Sequence, residues 1–400
     1  MAKSKKKLLV TTSTFPRFKE DAVPARFVLQ LCEQFTDRYA VSVLTPHDPG
    51  AQFREKFGEI EVFRFPYFYP TSKEILCDGR GILPNMRGSF LGKIQLPSLL
   101  GCEYFHVRRL IHTLRPDIIH SHWAIPQGLC AALAQPKMLP HILTIHSSDL
   151  HTLRRIPMGR AILRYVSTHC HTIFFVSSYL KNMFTQIVPD ASCTLKVLPM
   201  GVDHPFFGRT TTSPAPKWHL LYIGKMYAVK GVTHLIEAMN LLSRSLPQLK
   251  LTLVGDGEDR PKLEVQARTF DPEGTIISFT GQVAHEKLPE YLRSADALIV
   301  PSIITKHQET EGMPTVILEA LATGTPVLAS LVGGLTDAVI HGKNGLLFRH
   351  SDPADLAEKI MEFYAQQLWR TMPDTARNSA KKYAWPEIGR HYTEAFETTC

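Results

Sequence analysis

The residues best suited to chemistry lie in one stretch, Glu309-Thr310-Glu311-Gly312-Met313-Pro314-Thr315-Val316-Ile317-Leu318-Glu319-Ala320-Leu321-Ala322-Thr323-Gly324-Thr325-Pro326. Pro314 suits a first helical position, Val316, Ile317, Leu318 and Leu321 form an apolar face, and Thr323-Gly324 with Pro326 ends the helix. Glu311 then stands in the loop before the helix, beside backbone N–H groups without intrahelical partners, and Glu319 lies about one and a half turns in. A helix start with Gly312 beside it can hold a phosphate, while carboxylates accept hydrogen bonds from sugar hydroxyls. Phosphate with two acceptors suits a sugar nucleotide; an ordinary amphipathic helix with solvated glutamates would carry the same residues. A second stretch, Gly224-Lys225-Met226-Tyr227-Ala228-Val229-Lys230-Gly231, follows a strand-like segment and precedes a helix-like one. Its two lysines between glycines suit a diphosphate, because they supply positive charge where a leaving phosphate gains negative charge. Solvated loop lysines are the plainer reading.

The elements that must position these residues alternate. In the first half, strand-like segments at residues 8–12, 41–45, 117–120, 142–145, 173–176 and 196–198 are separated mostly by helical ones, such as 25–37 with Phe27, Val28, Leu31 and Phe35 on one face. Short, continuously apolar strands between helices predict a parallel sheet covered on both faces, with functional loops at the carboxyl ends of its strands. Those ends carry Ser13 to Arg17, then His120, Ser121, His122 and Trp123, then His146, Ser147, Ser148 and Asp149. Residues 63–100 lack this regularity and read as a loop region. Residues 208–217, rich in Thr, Ser and Pro, read as a linker. The strand and helix pattern then restarts at 219–223 and runs to a last strand at 345–348. The fold class is therefore α/β, with two doubly wound Rossmann-like domains facing across a cleft. The expected boundaries are 1–207, a linker at 208–217, 218–375, and a terminal amphipathic segment, 376–400, with Tyr383, Trp385, Ile388 and Tyr392.

The net charge of +8 is unevenly distributed: up to Asp203 there are 25 Lys and Arg against 15 Asp and Glu. Neither the aromatic-basic interleaving of an RNA-binding sheet nor a helix-turn-helix pattern is present, so nucleic acid is not the expected partner. The basic first half suits an anionic acceptor or an anionic membrane surface. No apolar run approaches the roughly 18 to 20 residues that span a bilayer, and the basic start leads into a strand rather than a signal-type run. The expectation is a cytoplasmic protein, at most peripheral on the inner face of a membrane. Seven cysteines without a C-x-x-C pair are expected to be reduced thiols. There is no Asp-x-Asp and no His and carboxylate set at ligand spacing, so neither a metal nor another cofactor is expected. Gly255-Asp256-Gly257 is no dinucleotide fingerprint, because Arg260 stands where the third glycine belongs.

The two charged stretches fall within a longer order of motifs: Leu253-Val254-Gly255-Asp256-Gly257, Phe279-Thr280-Gly281-Gln282-Val283, Ala295-Asp296-Ala297, Gly333-Gly334 and Gly342-Lys343-Asn344-Gly345-Leu346-Leu347-Phe348. This order resembles retaining glycosyltransferase family 4, of GT-B fold, throughout the second half. The resemblance extends into the first half through Thr12-Ser13-Thr14-Phe15-Pro16, His120-Ser121-His122-Trp123 and Thr144-Ile145-His146-Ser147-Ser148-Asp149. It implies that Lys225 and Lys230 hold a diphosphate, that Glu319 takes the ribose hydroxyls, and that Glu311 faces the donor sugar with the backbone of Gly312 and Met313. It places Gln282 and Val283 near the base and brings His146 to the transferred sugar; His146, Glu311 and Lys230 are the expected catalytic residues. Arg17, His122, Trp123 and Asp149 are the expected acceptor residues, and the terminal helix is expected to cross back onto the first domain. The implied activity is metal-independent, retaining transfer of a hexose-type sugar from a nucleoside diphosphate to a polysaccharide, glycolipid or other acceptor. An inactive sugar-nucleotide-binding subunit and a sugar-nucleotide epimerase of the same fold are the alternatives. Two positions depart from the family pattern: Lys225 stands where Arg is usual and lacks its bidentate fork, and Thr14-Phe15-Pro16-Arg17 replaces the glycine pair of many relatives.

Overall fold

Each half of the chain folds around its own twisted, largely parallel sheet in a computed structural model that describes residues 5–18, 26–77, 82–136, 139–208 and 215–399. In the first unit the strands are β1 (Lys6–Thr11), β2 (Tyr39–Pro46), β3 (Arg54–Phe57), β4 (Ile60–Phe65), β5 (Ile118–His122), β6 (His141–Ile145), β7 (Thr172–Phe175) and β8 (Thr194–Val197). Their order is β3-β4-β2-β1-β5-β6-β7-β8, parallel throughout except for the β3–β4 hairpin. The strand order reverses at β1, between β2 and β5, which is where a doubly wound sheet opens a crevice at its carboxyl ends. The apolar runs that predicted these strands are the core: Leu8, Leu9, Val10, Ile118, Ile119, Ile142 and Leu143 are all buried.

The second unit has β9 (His219–Ile223), β10 (Lys250–Val254), β11 (Ile277–Gly281), β12 (Ala297–Val300), β13 (Val327–Ser330) and β14 (Gly345–Phe348). They form one all-parallel sheet in the order β11-β10-β9-β12-β13-β14, reversing at β9. Among the described residues no helix is long and apolar enough to cross a membrane.

Residues 63–100 are not the loop region expected. They contain the end of β4, a helix at Ile82–Gly88 and the start of a long helix, Phe90–Leu114. Pro97, Gly92 and Gly101 obscure its periodicity in the sequence, yet Leu99, Val107, Leu110 and Ile111 form one buried stripe that tertiary packing stabilises. The expected Gly79-Arg80-Gly81 loop lies outside the described residues.

The chain divides at Pro199, earlier than the expected boundary at 207. Residues 200–207 belong to the second unit because they are pinned to it: the Val202 N–H donates to the Tyr383 carbonyl (2.8 Å), Phe206 is buried in that core, and Arg293 donates to the Pro205 carbonyl (2.6 Å). Of the expected linker, residues 209–214 lie outside the described residues. Residues 376–384 also stay with the second unit, since Ala376, Ala380 and Tyr383 are buried in its core. Only the helix from Trp385 onward joins the first unit, where Tyr392 meets Phe174 (ring centroids 4.5 Å) and Phe396 meets Phe35 (5.0 Å). The described cysteines are free thiols.

Candidate active site

In the second unit β9 and β12 are neighbours, so the loops leaving their carboxyl ends run side by side. Gly231 closes the lysine loop at φ +65°, and a Cβ there would sit 1.9 Å from the Pro301 carbonyl oxygen, so only glycine lets this loop seat on the one after β12. The Ile303 N–H donates to the Val229 carbonyl (2.9 Å) across the same seam. This brings Lys230 Nζ to 2.8 Å from Glu311 Oε1. Glu311 is held from its other side by Gly333 (φ +53°), whose Cβ would be 2.1 Å from the Glu311 carbonyl oxygen, and by the Gly334 N–H donating to that oxygen (3.2 Å). Lys225 is half-buried, and its carbonyl accepts from the Tyr222 hydroxyl (2.8 Å). Burial, with the Glu311 charge adding to it, holds that phenol well above its ordinary range.

The helix Thr315–Thr323 starts one residue later than expected, with Pro314 as an extended N-cap, no capping side chain, and left-handed Gly324 at its end. Glu319, buried on this helix, lies 3.1 Å from Nε2 of His285 in the short turn His285–Lys287. The hydrogen bond to the Glu319 carboxylate raises the His285 pKa, favouring the imidazolium. Gln282 is exposed, Gly312 is buried, and Val283 and Met313 are half-buried against the core. An ammonium, a carboxylate beside it, an uncapped helix start and a second carboxylate one turn on can bind phosphate and sugar hydroxyls together. Among the described residues no group of three or more His, Cys, Asp or Glu is arranged to hold a metal ion.

In the first unit the ends of β5 and β6 bring a set of rings together. His146 is half-buried among His122, Trp123 and Phe27, at centroid distances of 5.2, 4.5 and 5.2 Å. Its Nε2 lies 2.9 Å from His122 Nδ1. Burial lowers the His146 pKa to about 3, and that of His122 well below its ordinary value, so both rings are neutral near pH 7. Trp123 (φ 69°) and Ser147 (φ 129°) hold left-handed conformations that cost a non-glycine residue energy. Asp149 offsets that cost: its Oδ2 accepts from the Ala124 N–H (2.7 Å) and its Oδ1 from the Ser147 N–H (3.1 Å). Burial raises the Asp149 pKa.

Two expected acceptor residues are thereby corrected. His122 is fully buried and meets His146, and Asp149 is buried with both oxygens committed to the backbone, so neither presents itself to an acceptor. Trp123 is half-buried against His146. Arg17 is half-buried, 3.9 Å from Asp48 Oδ2.

Residues 24–205 match the family model described as Glycosyltransferase Family 4, and residues 206–384 match Glycosyl transferases group 1. An uncharacterized glycosyltransferase of Methanocaldococcus jannaschii is 31% identical over 300 residues, covering 72% of this chain and 78% of that protein. The chain is a family 4 glycosyltransferase. Sucrose-phosphate synthase from Thermosynechococcus elongatus superposes with a TM-score of 0.77 at 20% identity, over 98% of this chain and 99% of that one. Anabaena HepE in complex with UDP gives a TM-score of 0.71 at 19% identity, over 98% and 100%. These likenesses establish the GT-B fold for the glycosyltransferase.

Sequence reasoning missed three residues that shape the enzyme's candidate site. His285 is 34 positions from Glu319, and only the sheet order brings them together. Phe27 belongs to a helix face in the sequence pattern, which carries no sign of its contact to His146. Arg64 is buried in β4 and donates to the Pro16 carbonyl (2.5 Å), holding the loop after β1; a charged residue within an apolar strand was the available signal.

Proposed function

We propose that this glycosyltransferase takes a hexose-type sugar from a nucleoside diphosphate and transfers it with retention, without a metal ion. The Lys230–Glu311 pair at the switch point of the second sheet carries the reading. Lys230, with Lys225, neutralises the leaving diphosphate; Glu311, released from Lys230 as the phosphate arrives, accepts from the sugar hydroxyls together with the backbone of Gly312 and Met313. Glu319, oriented by His285, takes the ribose hydroxyls, and Gln282 and Val283 border the base. The resemblance gives His146 the transferred sugar and retention its basis, and UDP in the HepE complex supports a nucleotide donor.

The test is a panel of sugar nucleotides with and without EDTA. One or a few should be consumed with release of the nucleoside diphosphate, at rates EDTA leaves unchanged, and the product's anomeric configuration should match the donor's by NMR. Binding without turnover would make the chain a binding subunit, epimer formed without acceptor would make it an epimerase, and strong dependence on magnesium or manganese would overturn the metal-free mechanism.

The acceptor side of the reading is an anionic, lipid-linked or phosphate-bearing molecule met at the inner face of a membrane. Arg154, Arg155 and Arg160 are exposed beside exposed Ile156, Met158 and Tyr165, while Arg164 pairs with Asp190 (2.5 Å). Cationic and apolar side chains together on one short segment suit an anionic lipid surface. Lys93 is exposed as well; Arg80 and the side chain of Arg87 lie outside the described residues. Sedimentation with anionic vesicles should weaken with salt, since exposed charges are screened within about 10 Å at 0.1 M. Charge reversal at Arg154, Arg155 and Arg160 should abolish it. Equal binding to neutral vesicles, or no loss in the variant, would leave a soluble acceptor.

A further inference from the structure

We infer that His122 is a positioning residue that fixes the tautomer of His146, so that His146 presents Nδ1–H as a hydrogen-bond donor to its ligand. His122 Nδ1 and His146 Nε2, 2.9 Å apart, share a single proton when both rings are neutral. Which ring owns it follows from the other nitrogen of His122. Among the described residues, His122 Nε2 is buried with no hydrogen-bond partner. A buried N–H left unpaired is rarer and costlier than a bare ring nitrogen, so the proton of His122 belongs on Nδ1. His122 therefore donates, His146 accepts at Nε2, and the neutral His146 ring carries its own proton on Nδ1. The ring beyond obeys the same rule: His120 Nδ1 is buried without a partner among the described residues, which puts its proton on Nε2, donating to Thr144 Oγ1 at 2.9 Å. His120 thus makes no competing claim on His122, although the two rings lie 4.4 Å apart. Phe27 and Trp123 enclose His146 with carbon faces and offer no alternative acceptor for Nε2–H.

The functional half rests on the proposal that His146 meets the transferred sugar: a ring locked as an Nδ1–H donor can hold a sugar oxygen but cannot serve as a base there. His122→Asn keeps an N–H close to the Nδ1 position. His122→Asp offers only acceptor oxygens and compels His146 to carry its proton on Nε2. The experiment is long-range 1H–15N NMR of 15N-histidine-labelled enzyme, with the His146 signals identified by their loss in His146→Gln, alongside kcat and donor KM. His146 should be in the Nδ1–H form in the parent and in His122→Asn, and in the Nε2–H form in His122→Asp. kcat should fall roughly a hundredfold in His122→Asp, the scale of losing one preorganised donor, with donor KM little changed, and His122→Asn should restore most of it. An Nε2–H signal in the parent, or a tautomer indifferent to His122→Asp, would overturn the assignment; if that variant fails to fold, the parent and His122→Asn spectra decide. Tautomers that follow the scheme while His122→Asp and His146→Gln remain fully active would keep the assignment and refute the role of His146 in transfer.

Discussion

Lys230→Ala is expected to lower turnover by roughly a hundredfold or more, the scale of removing one preorganised charge stabiliser, with little change in the urea unfolding midpoint. Stability should be spared because Lys230 is a half-buried loop side chain paired with the Glu311 carboxylate, and such pairs contribute little in solvent-accessible surroundings. Turnover should suffer because the loop's backbone, seated by Gly231 against the chain after β12, fixes where the ammonium can reach. The ion pair raises a second route to the same loss, since removing Lys230 also frees Glu311. A double-mutant cycle separates the two. If Lys230 acts on the diphosphate, its deletion should still cost most of its effect in a Glu311→Gln background; if it only restrains Glu311, the second deletion should cost almost nothing. A drop below about fivefold in the single variant would remove Lys230 from the leaving-group role.

Most of the layout of the candidate site in the second unit was legible because it depends on local rules. Glycines that permit tight turns, a proline before a helix and continuous apolar strands read the same way in any tertiary setting, so the loops of Lys230 and Glu311 could be placed at strand ends before their strands were known to be adjacent. What could not be read was contact between distant elements. The Phe90–Leu114 helix was hidden because its glycines and proline lower local propensity while its stripe is stabilised by the sheet it covers. Motif position makes His122 and Asp149 expected acceptor residues because it reports proximity to a site and not the direction a side chain faces. His122 turns inward onto His146, and Asp149 serves the strained turns at Trp123 and Ser147. The boundary at Pro199 was missed for a related reason: residues 200–207 have no helix or strand periodicity, and only their contacts with Tyr383 and Arg293 assign them to a unit.

Two buried ionisable groups in the first unit should push its pH dependence in opposite directions. His141, fully buried in β6 with Nε2 2.9 Å from Ser121 Oγ, has its pKa lowered by burial to about 3. The unfolded chain protonates this ring near its ordinary value of 6.5, so below that pH the unfolded state binds the extra proton and stability falls until about pH 3. Between pH 7 and pH 5 this amounts to about 2 kcal/mol. Glu103, buried beside Gln127 (3.4 Å), has its pKa raised by burial to about 8, so its carboxyl is protonated in the folded chain at neutral pH while the unfolded chain ionises it. Its contribution is fully present below the unfolded value and is lost as pH rises toward 8. His141→Gln, which can still meet Ser121, should therefore gain about 2 kcal/mol relative to the parent on going from pH 7 to pH 5. Glu103→Gln should do the reverse, being most favourable relative to the parent at pH 7 and losing a similar amount of that advantage by pH 5. Urea titrations at the two pH values measure both differences, and because each compares a variant with the parent across pH, the fixed cost of the substitution cancels. Parallel pH profiles for parent and His141→Gln would mean that His141 is protonated in the folded chain, and a flat difference for Glu103→Gln would mean that Glu103 stays ionised where it is buried.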